Sequence, residues 1–230
     1  MENHKCILAV APHPDDLDFG CPITLKKFIK QGYDVYYVII TNGENGSKDK
    51  KLTKDQRIKI RREEQMRAAR KVGAKKVYFW GYRDGFLEYK EELRKKLTLL
   101  IKALKPELVF SFDPANRAFD NINLFHRDHR IAAELCYDSV FAAKNDYIYP
   151  HKNGPHRVDR VFFFGTDKPN YFVDITDEID FKLDVLSSYS SQFPNFENFS
   201  KFYKENFDNH TKKYKFSEAF RVMEVVQVSY

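Results

Sequence analysis

Apolar positions along the chain fall into short unbroken runs separated by longer stretches with helical spacing. Residues 5–10 (KCILAV) and 33–41 (YDVYYVIIT) are the first two such runs. Runs of this length, rich in β-branched and aromatic side chains and lacking polar alternation, predict strands buried on both faces. Between them, residues 19–31 carry Ile23, Leu25, Phe28 and Ile29 at helical intervals and stop at Gly32, which predicts a helix. The turn signals Asn42-Gly43 and Asn45-Gly46 close the second strand and open a polar loop to about residue 53. Residues 54–72 then predict a long charged helix, with Ile58, Met66, Ala69 and Val72 inward and Gly73 as its left-handed C-terminal residue. A strand at 76–79, a turn-rich loop at 80–85, a helix at 91–104 stopped by Pro106 and a strand at 108–112 continue the alternation.

Strand and helix alternating in this way imply a doubly wound, mainly parallel α/β sheet with helices on both faces, because parallel neighbours need crossover connections. A long loop at 113–128, a helix at 129–142, strands at 161–165 and 171–175 and a helix at 176–187 follow. From 188 to 207 the chain is dense in Phe, Tyr, Asn and Ser without a clear period, and a short helix near 217–225 is the last element expected. The chain reads as one domain, with a core over about 5–187 and an aromatic-rich C-terminal segment at 188–230. Phe193, Phe196, Phe199, Phe202 and Tyr203 are expected to pack onto the domain or onto another subunit of a homo-oligomer rather than to bind sugar.

Composition narrows the classes. With 230 residues, 43% hydrophobic, the chain can bury one sizeable core. It opens with no basic-then-apolar leader and contains no apolar stretch long enough to span a bilayer, so a cytoplasmic protein is expected. Its three cysteines are odd in number and show no CxxC spacing, which argues against a disulfide framework. The net charge of +6 is spread among interleaved acids, so nucleic acid is not an expected partner, although residues 48–62 are locally basic.

The chemistry concentrates in two clusters. His13, Asp15 and Asp16 follow the first strand, and His126, Asp128 and His129 end the long loop after the fourth. In a doubly wound sheet these two strands lie side by side and their carboxyl ends border one crevice. Two histidines and a carboxylate gathered from two loops suit Zn²⁺, which accepts imidazole nitrogen and carboxylate oxygen and in catalytic sites keeps a position for water. His13, Asp16 and His129 are therefore the expected metal ligands, with iron able to occupy the same set. Asp15 is the expected general base, and the fitting reaction is amide hydrolysis. Protonated His126 would steady the negative oxygen and give a proton to the leaving amine, with Asp128 holding its ring and raising its pKa. Singly, each residue has a plainer role, such as Asp128 capping the helix at His129, but capping does not bring both clusters to one crevice.

These motifs resemble the PIG-L/LmbE family of zinc-dependent N-acetylglucosaminyl deacetylases. His13-Pro14-Asp15-Asp16 matches the family's first motif, and His126-Arg127-Asp128-His129 its second, with Arg127 where proline is more usual. Further similarity runs through Thr41 to Glu44, Arg61 and Glu64, Gly81 to Gly85 and the stretch from Val173. The resemblance implies the same ligands and base, a small N-acetylated amino-sugar substrate, and substrate contacts from Arg61 and Asp84. Asn42 replaces a commonly acidic residue, and Leu124 stands where some relatives carry tyrosine.

Two other functions are weighed. A nucleotide or S-adenosylmethionine binder would need a glycine-rich first turn where this chain has packed carboxylates. A zinc amidase for a thiol conjugate or an antibiotic intermediate would carry the same motifs, whereas a non-catalytic binder would not need both.

Overall fold

The computed structural model describes residues 5–225 apart from 48, 117, 120, 208 and 210. Lys48, the first residue of the basic stretch, and residues 226–230 of the C-terminal segment lie outside the described residues. The elements are β1 (Cys6–Ala11), α1 (Asp16–Gly20), α2 (Pro22–Lys30), β2 (Asp34–Thr41), α3 (Lys54–Val72), β3 (Lys76–Tyr82), α4 (Glu91–Leu104) and β4 (Leu108–Phe112). They continue with α5 (Ile122–Phe125), α6 (Arg127–Ala143), β5 (Arg160–Phe164), β6 (Tyr171–Asp174), a 3₁₀ turn (Thr176–Glu178), α7 (Ile179–Leu186), α8 (Phe196–Glu205) and β7 (Ser217–Glu224).

The strands form a sheet ordered β3-β2-β1-β4-β5-β7-β6. From β3 to β5 every pairing is parallel, and β7 runs antiparallel to both β5 and β6. The doubly wound α/β architecture is thus present, and β1 lies between β2 and β4. Alternate residues of β1 feed two cores. Ile7, Ala9 and Ala11 pack with Leu17, Leu25, Ala69 and Val72 on one face, and Leu8 and Val10 with Leu97, Ile101 and Leu135 on the other. A strand covered on both sides has no solvent face to supply polar alternation, which is why its sequence is a continuous apolar run. Among the described residues no helix is long and apolar enough to cross a membrane.

Several elements depart from the sequence reading. The helix expected at 19–31 is two, α1 and α2, because Cys21 leaves helical geometry (φ −151°, ψ 26°) ahead of Pro22, whose ring disfavours a helical predecessor. In β3 the strand runs on through Trp80, Gly81 and Tyr82, beyond the expected end at 79. A register shift opposite Ile39 to Thr41 and a positive φ of 76° at Gly81 let pairing continue through what reads as a turn. The 113–128 loop holds α5 and the start of α6, which places Asp128 and His129 inside a helix's first turn. In α3 the inward face is polar: Arg61, Glu64 and Gln65 are buried with Ala68, Ala69 and Val72, while Ile58 and Met66 are only partly covered.

The C-terminal segment departs most. Residues 196–205 are helical, with Asn195 capping α8 by accepting from Asn198 N at 3.0 Å. As expected, most of the aromatics pack: Phe199 stacks on Phe193 at 3.9 Å between centroids, Phe196 lies 5.6 Å from Phe199 and Tyr203 6.1 Å from Phe19, whereas Phe202 is left 64% exposed. The helix expected near 217–225 is instead the strand β7, inserted between β5 and β6. The sheet therefore extends past residue 187, and Phe216 and Phe220 join the core.

Candidate active site

Where β1 ends, Pro12 O accepts from Thr41 N at 2.7 Å, and the chain turns through His13, Pro14 and Asp15 into α1. Asp15 holds a φ of 104°, a conformation that costs a non-glycine residue on the order of 1–3 kcal/mol and persists only where neighbours enforce it. The neighbours are on α3. Asp15 N donates to Gln65 Oε1 at 3.0 Å, and Arg61 Nη2 donates to Asp15 Oδ2 at 2.7 Å and also to Pro14 O. Arg61 and Gln65 stand one helical turn apart on the same buried face, so one element fixes both the backbone and the carboxylate of Asp15. Glu64, also buried, anchors the chain after α7 by accepting from Ser191 N and Oγ, each at 2.7 Å.

The histidines converge from two helix starts. His13 Nδ1 lies 3.1 Å from Asp16 Oδ2, and His129 Nε2 lies 3.2 Å from Asp16 Oδ1. His129 stacks on Phe112 at 4.0 Å. Its Nδ1 is 2.8 Å from Leu124 O, a carbonyl that can only accept, so the proton sits on Nδ1 and the Nε2 lone pair points to the site. On His13, Nε2 approaches Asp128 Oδ2 at 3.2 Å and Asp84 Oδ1 at 3.3 Å, again two acceptors. A proton on Nε2 leaves the Nδ1 lone pair facing Asp16. Two lone pairs and a carboxylate at such distances repel one another unless a cation or extra protons lie among them. The donor set therefore fits a divalent metal ion. The three imidazoles His13, His126 and His129 bring a ligand atom each within 4.8 Å of one another, as do His13, Asp84 and Asp128.

The electrostatics point the same way. Burial alone would lower the pKa of His13, but Asp16, Asp128 and Asp84 together raise it well above the ordinary value. Burial would raise Asp16, yet His129 and His13 drive its carboxyl strongly down. Burial raises Asp15, partly offset by the Arg61 guanidinium.

Of the site residues expected from the sequence, His13, Asp15, Asp16, Arg61, Asp84, His126 and His129 line this crevice, and Asp128 lies buried behind His13 with a change of partners. Asp128 does not hold His126. It is fully buried and accepts from Gly85 N at 2.7 Å and Leu87 N at 3.1 Å while touching His13, so it ties the loop after β3 to the first motif. The same contacts displace it from capping α6, at whose N-cap position His126 stands. With Asp128 turned away, burial and the neighbouring His129 and His13 push His126 down to about 4, so the ring is neutral at pH 7 instead of protonated. Asp84 accepts from Asn45 N at 3.0 Å. Arg61 reaches Asp15 rather than pairing chiefly with Glu64, whose Oε2 is 3.7 Å from Nη1.

Sequence reasoning missed Gln65, Asn45, Asp18 and Tyr189. The one available signal was the polar stripe at 61, 64 and 65 in a helix otherwise expected to turn alanine and valine inward. Asp18, fully buried, accepts on Oδ2 from Gln65 Nε2 at 2.9 Å and from Tyr189 OH, while Oδ1 is buried without a partner. Burial pushes its carboxyl up to about 7. The folded state thus keeps a proton that the unfolded chain releases near pH 4. The stability this proton confers is complete below that pH and is lost as the pH rises through about 7. Asn in this place carries no proton to lose, so the melting temperature of Asp18→Asn relative to the parent should climb steadily from pH 4 to pH 7. A pH-independent difference would show that Asp18 is ionised throughout.

A cavity of about 1000 Å³ opens over these groups, bounded by the two histidine clusters, Phe164 and Gly165 at the end of β5, and α8.

The comparisons with known proteins agree with this geometry. The family model described as PIG-L, GlcNAc-PI de-N-acetylase, matches residues 8–140. The chain is 35% identical over 196 residues to the diacetylchitobiose deacetylase of Thermococcus kodakarensis, covering 83% of this chain and 71% of that one. It is 27% identical over 203 residues to the probable N-acetyl-alpha-D-glucosaminyl L-malate deacetylase 2 of Bacillus anthracis, covering 84% of each. Its fold superposes on the inhibitor-bound N,N'-diacetylchitobiose deacetylase of Pyrococcus horikoshii with a TM-score of 0.82 at 32% identity, covering 97% of this chain and 85% of that one.

Proposed function

The chain belongs to the PIG-L family of N-deacetylases, and from that premise we propose that it hydrolyses the N-acetyl group of an N-acetylglucosamine-containing substrate, with His13, Asp16 and His129 holding zinc. The observation that carries this reading is the pair of imidazole lone pairs converging on Asp16 beside the Asp15–Arg61 pair. Zinc held there supplies Lewis acidity, bringing the pKa of a water toward about 7, and ferrous iron suits the same donors.

The chain's own groups do the rest. Asp15, its carboxylate fixed by Arg61, takes the proton of the water that adds to the acetyl carbonyl. Neutral His126 donates an N–H to the oxygen on which negative charge develops. The C–N bond then breaks as the amine receives the proton from Asp15, giving acetate and a free amino sugar. Asp128 orients His13 instead of His126, and Asp84, tied to Asn45, and Arg61 line the place of the sugar. In this reading the whole chain is one catalytic domain, since β7 belongs to the sheet that carries the site. It works in the cytoplasm, a setting suited to its three buried free cysteines, and the exposed Tyr137 and Phe141 of α6 offer a face for a second copy.

The purified protein should hold one zinc per chain and release acetate from N-acetylglucosaminides, measured across N-acetylglucosamine, its disaccharide, thiol-sugar precursors and non-sugar amides. Release only from non-sugar amides would replace the sugar assignment with a general zinc amidase.

A further inference from the structure

Asp15 stands at the N-cap of α1 and Asp18 at its third position, and both side chains are suited to closing the helix start locally. Neither does so. The Asp15 carboxylate makes no bond to the α1 backbone and turns to Arg61. The Asp18 carboxylate, which in a capping box would reach back to the Asp15 N–H, faces α3 and Tyr189 instead. That N–H goes to Gln65 Oε1 at 3.0 Å, and Gln65 Nε2 donates to Asp18 Oδ2 at 2.9 Å. Gln65 is thus inserted between two residues of one helix start, fully buried and with both ends of its amide committed.

The direction of that amide is fixed. A backbone N–H can only donate, so Asp15 requires the carbonyl end, and Asp18, which accepts from Nε2 and from Tyr189 OH, holds the other end against turning round. Tyr189 supports the second arm as well, since the Arg61 guanidinium carbon lies 5.6 Å from its ring centre. Two residues of α3 therefore define where Asp15 stands: Arg61 holds its carboxylate and Gln65 the backbone from which that carboxylate projects. A residue held at a φ of 104° reverts toward negative φ once the bond enforcing it is gone, and its side chain swings with the turn. Closure by Asp18 alone would satisfy the helix start, whereas closure through Gln65 also ties the Asp15 backbone to the helix that carries Arg61.

We propose that Gln65, oriented by Asp18, is a positioning residue that keeps the Asp15 carboxylate in place to take the proton of the attacking water. The proposal rests on the reading of Asp15 as the base of the deacetylase. In zinc-loaded Gln65→Met, similar in size but without either polar atom, kcat on N,N'-diacetylchitobiose should fall about ten- to a hundredfold with KM within about threefold. Its zinc content should match the parent's. Adding Gln65→Met to Asp15→Ala should change the residual rate by less than about twofold, because a residue acting through Asp15 then has nothing to place. Asp18→Leu, which frees the amide to turn, should also lose turnover, and Asp18→Asn, which keeps an acceptor oxygen, should recover most of that loss. Crystal structures of zinc-loaded Gln65→Met and Asp18→Leu should show Asp15 at negative φ and parted from Arg61.

Full turnover in Gln65→Met, a change in KM alone, an equal fractional loss in the Asp15→Ala background, or an unmoved Asp15 in the crystals would each overturn the proposal. So would Asp18→Asn as inactive as Asp18→Leu, and this pair decides if Gln65→Met does not fold. Acetate release by the parent protein is scored separately. No release by the parent, together with a displaced Asp15 in the crystals, would sink the reaction and leave Gln65 as the residue that places Asp15.

Discussion

Asp15→Ala should lower kcat on an N-acetylated sugar by about a thousandfold, within the range general acid–base groups contribute, and should leave the zinc content unchanged. The two halves of that expectation come from different contacts. Asp15 bonds to Arg61 and Gln65 on α3, whereas the metal-facing contacts run through Asp16 to His13 and His129. Removing the Asp15 carboxylate therefore takes away a proton acceptor and not a ligand. Asp15→Asn separates chemistry from structure, because its amide oxygen still accepts from Arg61 and asparagine tolerates a positive φ better than alanine does. Both variants should lose turnover, and only the alanine form should melt measurably lower. Retention of full activity in either would remove Asp15 as the base.

The pH profile offers an independent check. Burial raises the Asp15 pKa and Arg61 opposes it, so activity should rise with pH as Asp15 ionises. Arg61→Met withdraws the opposing charge, the Asp15 pKa moves further up, and the acid limb of kcat/KM should shift to higher pH. A purely structural role for Arg61 would lower the amount of folded enzyme without moving that limb.

What could be read from the chain beforehand follows from where its information is local. β1, β2 and β4 declared themselves because strands buried on both faces are continuous apolar runs, and the two motifs declared themselves because metal ligands and a base must be of particular residue types. Partners across the fold did not. Asp128 sits two residues from His126, yet its bonds go to Gly85, Leu87 and His13, which only the packing of the β3 loop against α6 decides. Arg61 was expected only as a contact to substrate, on the resemblance, and Gln65 was not singled out at all. They are buried because Asp15, just ahead of α1, and Asp18 within it supply polar partners that an apolar stripe could not satisfy. β7 was the plainest miss: SEAFRVME carries apolar residues at spacings a helix would accept, and it is a strand because β5 and β6 both present unpaired edges to it.

That misread strand carries the second large effect, since Glu218→Ala should destabilise the protein by about 3–5 kcal/mol, the usual consequence of stranding one member of a buried ion pair. From β7 the Glu218 carboxylate accepts from Lys182 Nζ at 3.0 Å on α7 and, at the start of α2, from Ile23 N at 3.1 Å, Thr24 N at 2.7 Å and Thr24 Oγ1 at 2.6 Å. It is thus both the counter-ion of a fully buried lysine and the cap of a helix that has no side-chain cap of its own. The two roles predict an asymmetry. In Lys182→Met the carboxylate keeps its bonds to α2, and a negative charge at a helix N-terminus remains favourable, so the loss should be the smaller of the two. In Glu218→Ala the lysine is left buried alone and two helix N–H groups lose their acceptor. The double variant should recover only part of the Glu218→Ala loss, and what it fails to recover measures the cap. Urea unfolding of the three proteins gives all these quantities, and equal losses in the two single variants would show that the ion pair alone, without the cap, accounts for what Glu218 does.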